Sequence, residues 1–159
     1  MTGISRRKKE DSTVEKRAGR VVNGVRCLHA LVCEAARLEP DATTTLVSLF
    51  TRITTARLPV RRPLCYACFL ELDLAQPDRL GRETVEIGLR IHSPLGAMLH
   101  NSGRQARFVS HAFEAMRCCL TIPVDELSFS DYGDYVFELY LDDEFLHREV
   151  LTVKPDRGR

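Results

Sequence analysis

Six cysteines are the residues whose spacing could indicate metal or redox chemistry, and they stand at positions 27, 33, 65, 68, 118 and 119. Cys65 and Cys68 form a C-x-x-C pair, a spacing found in zinc sites and thiol redox sites. The pair lies in an apolar run that indicates a β-strand, where positions three apart point to opposite faces, so both thiols cannot face one ion without a local turn. The chain has no second C-x-x-C pair. We interpret the cysteines as buried, reduced thiols that pack as small hydrophobic side chains.

Nucleophilic catalysis would require a cysteine or serine, a histidine and an acid around one cleft. The histidines are scattered along the chain, and no serine occupies a G-x-S-x-G turn. These observations favour a non-catalytic protein-binding or assembly module with no cofactor. The alternative is a small cytoplasmic enzyme or a metal-dependent domain that uses its Cys and His residues. The histidines are His29, His92, His100, His111 and His147.

Five acidic residues in the last third of the chain have the oxygen ligands that Ca²⁺ prefers: Asp131, Asp134, Asp142, Asp143 and Glu144. Asp131 and Asp134 precede a predicted strand, and the other three follow it. Roughly eight residues at about 3.3 Å each separate the two groups, so they cannot share an ion. We therefore predict no metal site. Asp142, Asp143 and Glu144 have two interpretations, an interaction surface or a solvated turn that keeps the domain soluble.

The charge of the chain is unevenly distributed, although its total is only +1. Residues 1–24 have a net charge of +4, whereas residues 125–149 contain nine acidic residues and one arginine, for a net charge of −8. This distribution argues against a nucleic-acid-binding domain, which would be uniformly basic. No apolar stretch reaches the length of a membrane span, so we expect a cytoplasmic protein with no membrane contact.

Short apolar segments separated by turn residues predict an all-β fold. We expect an immunoglobulin-like antiparallel β-sandwich of seven or eight strands over residues 25–153, between a disordered basic tail at 1–24 and a disordered end at 154–159. A brief helical turn is expected at Val124–Leu127. The predicted strands are Arg26–Ala35, Thr43–Ile53, Leu64–Leu74, Val85–Ile91, one or two within Met98–Val109, Phe113–Ile122, Tyr135–Leu141 and Phe145–Val153.

One motif has a structural mechanism. Asp131, Gly133 and Tyr135 form a D-x-G-x-Y pattern at the start of a predicted strand. The pattern resembles the tyrosine corner of immunoglobulin-like sandwiches, in which the tyrosine hydroxyl bonds to backbone a few residues upstream. Phe137 stands where antibody domains have a disulfide cysteine, and the chain has no tryptophan, so the likeness is one of architecture.

A wider resemblance covers most of the predicted domain. The chain resembles a family of small uncharacterised bacterial proteins, and the resemblance implies an immunoglobulin-like sandwich with no established activity. The segments that carry it are Leu31–Ala36, the Pro40-Asp41 turn with Thr45–Phe50, Leu58-Pro59, and the Gly133-x-Tyr135-x-Phe137 strand.

The packed interior of such a sandwich offers no deep ligand cavity. We therefore expect a protein partner, or a second copy of the chain, to bind through a sheet edge or through the loops at one end. The acidic residues would favour a basic partner or the basic tail of a neighbouring copy.

Overall fold

The protein is described by a computed structural model that covers residues 20–41, 43–72, 84–106 and 116–157. This part of the chain forms a sandwich of two five-stranded sheets. The described part of the chain contains no helix with the length and apolar character needed to span a membrane. The strands are β1 (Val21–Val22), β2 (Val25–Leu38), β3 (Thr44–Phe50), β4 (Arg52–Thr55), β5 (Val60–Leu72), β6 (Val85–His92), β7 (Met98–Ala106), β8 (Met116–Phe129), β9 (Gly133–Leu141) and β10 (Glu144–Pro155).

The first sheet has the order β1-β2-β5-β8, and β3 pairs with β2 on the same edge as β1. The second sheet has the order β4-β10-β9-β6-β7. Among the described strands, all pairings are antiparallel except that of β4 with β10. The expected immunoglobulin-like sandwich is confirmed, with one parallel pair and more strands than the predicted seven or eight.

The core lies between the two sheets and follows from the alternation of apolar residues along the strands. Tyr66 of β5 and Phe137 of β9 stack across the core with ring centroids 6.0 Å apart. Phe129 meets Tyr135 edge to face at 4.8 Å. All four aromatic side chains are fully buried. These side chains hold the two sheets together, because burial of their apolar area and the contacts between their rings are both favourable.

One predicted strand, Thr43–Ile53, is wrong as a single element. The chain leaves the first sheet after Phe50 and enters the second at Arg52, so the segment supplies both β3 and β4. Ile53 is buried in the core, whereas Leu49 is 54% exposed. Both halves are rich in β-branched and leucine residues, and the pattern gives no sign of the change of sheet.

The predicted helical turn at Val124–Leu127 is also wrong, because β8 continues through it to Phe129. Val124 pairs with Leu64 and Leu127 with Arg62, on either side of an irregularity in the register. The extra residue at this irregularity allows Val124 and Leu127, three positions apart, both to be buried.

Strands extend beyond both predicted limits of the domain. At the start, β1 pairs with β2 through a turn in which Asn23 and Gly24 have φ values of 49° and 77°. At the end, β10 continues to Pro155. The rest of the predicted tail, residues 1–19, lies outside the described residues.

The hairpin of β2 and β3 crosses the outer face of the first sheet. Beyond Cys33, β2 no longer pairs with β5 and pairs only with β3. Thr44, at the start of β3, hydrogen bonds to the thiol of Cys119 on β8. The hairpin therefore returns over the face opposite the core, where Cys33, Cys65 and Ala67 are buried.

Candidate functional site

The tyrosine corner motif lies where β8 turns into β9. The Tyr135 hydroxyl donates to the backbone oxygen of Asp131 at 3.1 Å and accepts from the backbone N–H of Asp131 at 3.0 Å. Tyr135 is fully buried, so its hydroxyl provides a hydrogen-bond partner for the backbone N–H and C=O of Asp131 from inside the sandwich. This is the geometry of a tyrosine corner, and Asp131 takes part in it through its backbone.

Gly133 is required at this corner for two reasons. Its φ is 132°, a conformation that L side chains rarely adopt, and a Cβ there would lie 2.9 Å from Cβ of Pro94. The corner is thus packed against the turn between β6 and β7. All three residues of the motif therefore have a structural role in this turn.

Asp142, Asp143 and Glu144 lie at the opposite end of β9. Asp142 and Asp143 have φ values of 48° and 64° and form a tight two-residue turn into β10. Each of the three side chains contacts another residue of the same chain. Asp142 Oδ1 accepts from the N–H of Glu86 at 2.8 Å, Asp143 pairs with Arg90 at 2.8 Å, and Glu144 lies 3.6 Å from Arg20.

The Arg20–Glu144 pair bears on the expected attraction between the acidic turn and a basic tail. The described end of the tail meets the turn of its own chain. The paired side chains are more than half exposed, so this contact contributes little to stability.

A carboxylate that sequence reasoning missed lies on the outer face of the second sheet. Glu138 has a side chain only 12% exposed and accepts from Arg148 at 2.7 Å and from the Tyr140 hydroxyl at 2.8 Å. His92 Nε2 is 3.6 Å away. Burial opposes ionisation of this carboxyl, but the bonds from Arg148 and Tyr140 outweigh it and lower the pKa of Glu138. The partners come from three strands, so no local motif marks them.

A shallow polar depression lies beside this network, close to β7. Gly88 of β6 faces Gly103 of β7 in register and Tyr140 of β9 on its other side, so no β6 side chain rises between them. The Arg90 guanidinium covers the Tyr140 ring at 4.0 Å. The lining residues are Glu86, Gly88, Arg90, Asn101, Ser102, Gly103, Tyr140 and Asp143.

The cysteines are all free in the described structure. Cys68 belongs to the core, whereas Cys65 faces the other side of the sheet, as the strand periodicity predicts. Burial raises the pKa of all six thiols, and the pKa of Cys27 reaches about 12. Thiols in such surroundings are poor nucleophiles at neutral pH. Within the described ranges, no group of three or more His, Cys, Asp or Glu residues is placed to hold a metal ion.

The histidines are spread over both sheets. His29 stacks on Phe69 at 4.4 Å on the outer face of the first sheet. His100 bonds to Ser102 at 2.8 Å on β7, and His147 lies on β10. His111 lies outside the described residues.

Comparisons with known proteins identify a family. A family model described as a family of unknown function (DUF6941) matches residues 28–154. The comparison with curated proteins gives no match.

Two solved structures align with the chain at 13% identity. One is an immunoglobulin-like protein from Pseudomonas aeruginosa, with 82% of this chain and 96% of that chain covered and a TM-score of 0.31. The other is the C-terminal domain of wzt, with 96% and 90% covered and a TM-score of 0.44.

Proposed function

The chain belongs to a family of unknown function (DUF6941), and we propose that it is a non-catalytic module that binds an extended segment of a partner protein along β7. The observation that carries the proposal is the open edge of β7. A strand at a sheet edge has unpaired backbone donors and acceptors, which an incoming strand can complete.

Among the described residues, β7 pairs only with β6. Arg104 is the only Asp, Glu, Lys or Arg among its nine residues. The strand also lacks proline. Lysine, proline and short length are the devices that keep a sheet edge from pairing, so β7 is an edge that can accept a strand.

The other edges are short, charged or interrupted. In the second sheet, β4 has only four residues. In the first sheet, β8 carries Pro123 together with Asp125 and Glu126. The opposite edge of that sheet is divided between the two-residue β1 and β3, which has no charge or proline but is interrupted at Ser48, where φ is 53°.

The hydrogen bonds of Glu86 fix the direction of the backbone groups on β6. Its N–H donates to Oδ1 of Asp142, and its carbonyl accepts from the N–H of Asp142, both at 2.8 Å. Both groups of Glu86 therefore point toward β9. Because this direction alternates along a strand, the groups of Ile87 and Leu89 point toward β7.

The register then shows which backbone groups of β7 do not bond to β6. Arg104 pairs with Ile87 and Ser102 with Leu89, so the backbone groups of Arg104 and Ser102 bond to β6. The groups of Asn101, Gly103 and Gln105 point away from β6, toward the open edge. These three residues would form the ladder with a bound strand.

A proline at Gln105 tests the proposal because it removes one outward N–H and leaves the ladder to β6 intact. The matched control is Gln105→Ala, which removes the same side chain and keeps the N–H. Circular dichroism and thermal denaturation first show that each full-length variant is folded. Each variant is then immobilised and exposed to an extract of the cells that naturally produce the protein. Asn101→Pro replaces Gln105→Pro if the latter does not fold.

We expect a protein retained by the wild type and by Gln105→Ala to be lost with Gln105→Pro. Retention of the same proteins by all three chains would overturn the proposal, as would the absence of any protein whose retention depends on the N–H.

A further inference from the structure

Cys33 and Cys65 face each other directly across two strands. They are register partners in the antiparallel pair of β2 and β5. The Cys33 Sγ donates to the backbone oxygen of Cys65 at 3.4 Å. The two side chains also lie within hydrogen-bonding reach of each other.

No other pair of cysteines has this relation, and all six lie in the described part of the chain. Cys27 has Leu70 as its partner on β5, and Cys68 has Ala30 on β2. On β8, Cys118 pairs with Leu70 and Cys119 with Phe69. Adjacent strands thus bring together one thiol pair.

Residues directly opposite each other in an antiparallel pair have Cα atoms about 4.5 or about 5.5 Å apart. Both separations lie within the range that a disulfide spans. We propose that Cys33 and Cys65 are an oxidation site, at which a small disulfide such as oxidised glutathione converts the two thiols into a cross-strand disulfide.

The reaction is a thiol–disulfide exchange in two steps. One protein thiolate attacks the glutathione disulfide, breaks its S–S bond and forms a mixed disulfide with release of one glutathione thiolate. The second protein thiolate then attacks the mixed disulfide and releases the second glutathione. The two thiols lose two protons and two electrons, and the electrons reduce the glutathione disulfide to two thiols.

The position of the pair gives access that the core thiols lack. Cys33 and Cys65 lie on the outer face of the first sheet, under the hairpin of β2 and β3 rather than between the sheets. Opening of the hairpin would expose them without separating the sandwich. Burial raises the pKa of both thiols, so the reaction should be slow at neutral pH and faster in alkaline buffer.

The bond would also have a structural effect, because Cys33 is the last residue of β2 that pairs with β5. A disulfide there ties the base of the hairpin to β5. The oxidised protein should melt at a higher temperature than the reduced protein, and dithiothreitol should reverse the change.

The test is incubation of the full chain with oxidised glutathione, followed by titration of free thiols in denaturant and by peptide mapping. We expect the loss of two thiols per chain and a Cys33–Cys65 peptide lighter by two hydrogen atoms. Cys33→Ser and Cys65→Ser should each prevent the bond, and Cys119→Ser, on the same face, should leave it intact.

The wild-type peptide map decides the outcome even if a serine variant does not fold. Retention of all thiols, a glutathione adduct that never proceeds to the protein disulfide, or a bond between other cysteines would each overturn the proposal.

Discussion

The Tyr135 hydroxyl is the single polar group on which the corner between β8 and β9 depends. Tyr135→Phe leaves the backbone N–H and C=O of Asp131 without their buried partner, so we expect a loss of about 1 to 3 kcal/mol in the free energy of unfolding. Tyr132→Phe is the control, since Tyr132 is 42% exposed and water can replace its bond to Thr55. Urea titration measures the free energy of unfolding of both variants. Equal losses would show that the Tyr135 hydroxyl does not stabilise the corner.

His147 should make stability depend on pH. Burial lowers the pKa of His147, against the raising effect of Glu149, and its Nε2 has no hydrogen-bond partner among the described residues. The unfolded chain therefore binds a proton at a higher pH than the folded chain. The stabilising contribution is present above the ordinary histidine pKa of about 6.5 and is lost as the pH falls through the lowered value.

The corresponding measurement is the free energy of unfolding at pH 8 and at pH 5.5. We expect a lower value at pH 5.5 and a smaller difference in His147→Gln. Burial also lowers the pKa of His100, so part of the dependence should persist. An unchanged difference in the variant would show that His147 does not contribute.

At the level of single residues, the sequence predicts what is local. Asp131, Gly133 and Tyr135 lie within five positions, so one pattern contains the whole corner. The surroundings of Glu138 depend on Arg148 and His92, which lie on neighbouring strands and reach it only after the sheet has formed. An isolated glutamate in an alternating strand looks like any solvent-facing residue.

Among the elements, the turn between β9 and β10 makes the sharpest prediction. Asp142→Ala removes the acceptor for the Glu86 N–H and places alanine at a φ of 48°. We expect a loss of about 1 to 3 kcal/mol from these two effects together. Asp142→Asn keeps the acceptor and tolerates this φ, so it should change stability by no more than about 0.5 kcal/mol in the same titration.

The predicted hairpin of Tyr135–Leu141 with Phe145–Val153 is confirmed, because strict alternation and a turn signal agree there. The sequence also contains a sign of β1 that the predicted tail over residues 1–24 left out, since Asn23-Gly24 between Val22 and Val25 is a strong hairpin signal. The change of sheet after Phe50 had no such sign. It depends on which distant strand offers a free edge, and β10 follows about a hundred residues later in the chain.

For the whole molecule, two truncations locate the start of the cooperative fold. Removal of residues 1–22 deletes β1 and the buried Val22, so we expect a clearly lower melting temperature. Removal of residues 1–19 should leave the melting temperature unchanged, because that segment is polar and charged. Equal melting temperatures for the two truncated chains would show that β1 contributes nothing to the fold.

The order of strands within the sheets could not be predicted, because it results from pairings between distant segments. The sequence therefore predicted only that a partner would bind through some sheet edge or through the loops at one end, and among the described strands β7 is the least protected edge. Residue-resolved amide hydrogen exchange in the isolated chain tests this edge most directly. We predict protected amides at Ser102 and Arg104 and rapid exchange at Asn101, Gly103 and Gln105. Protection of all five amides would mean that β7 is already covered and would contradict the proposed mode of binding.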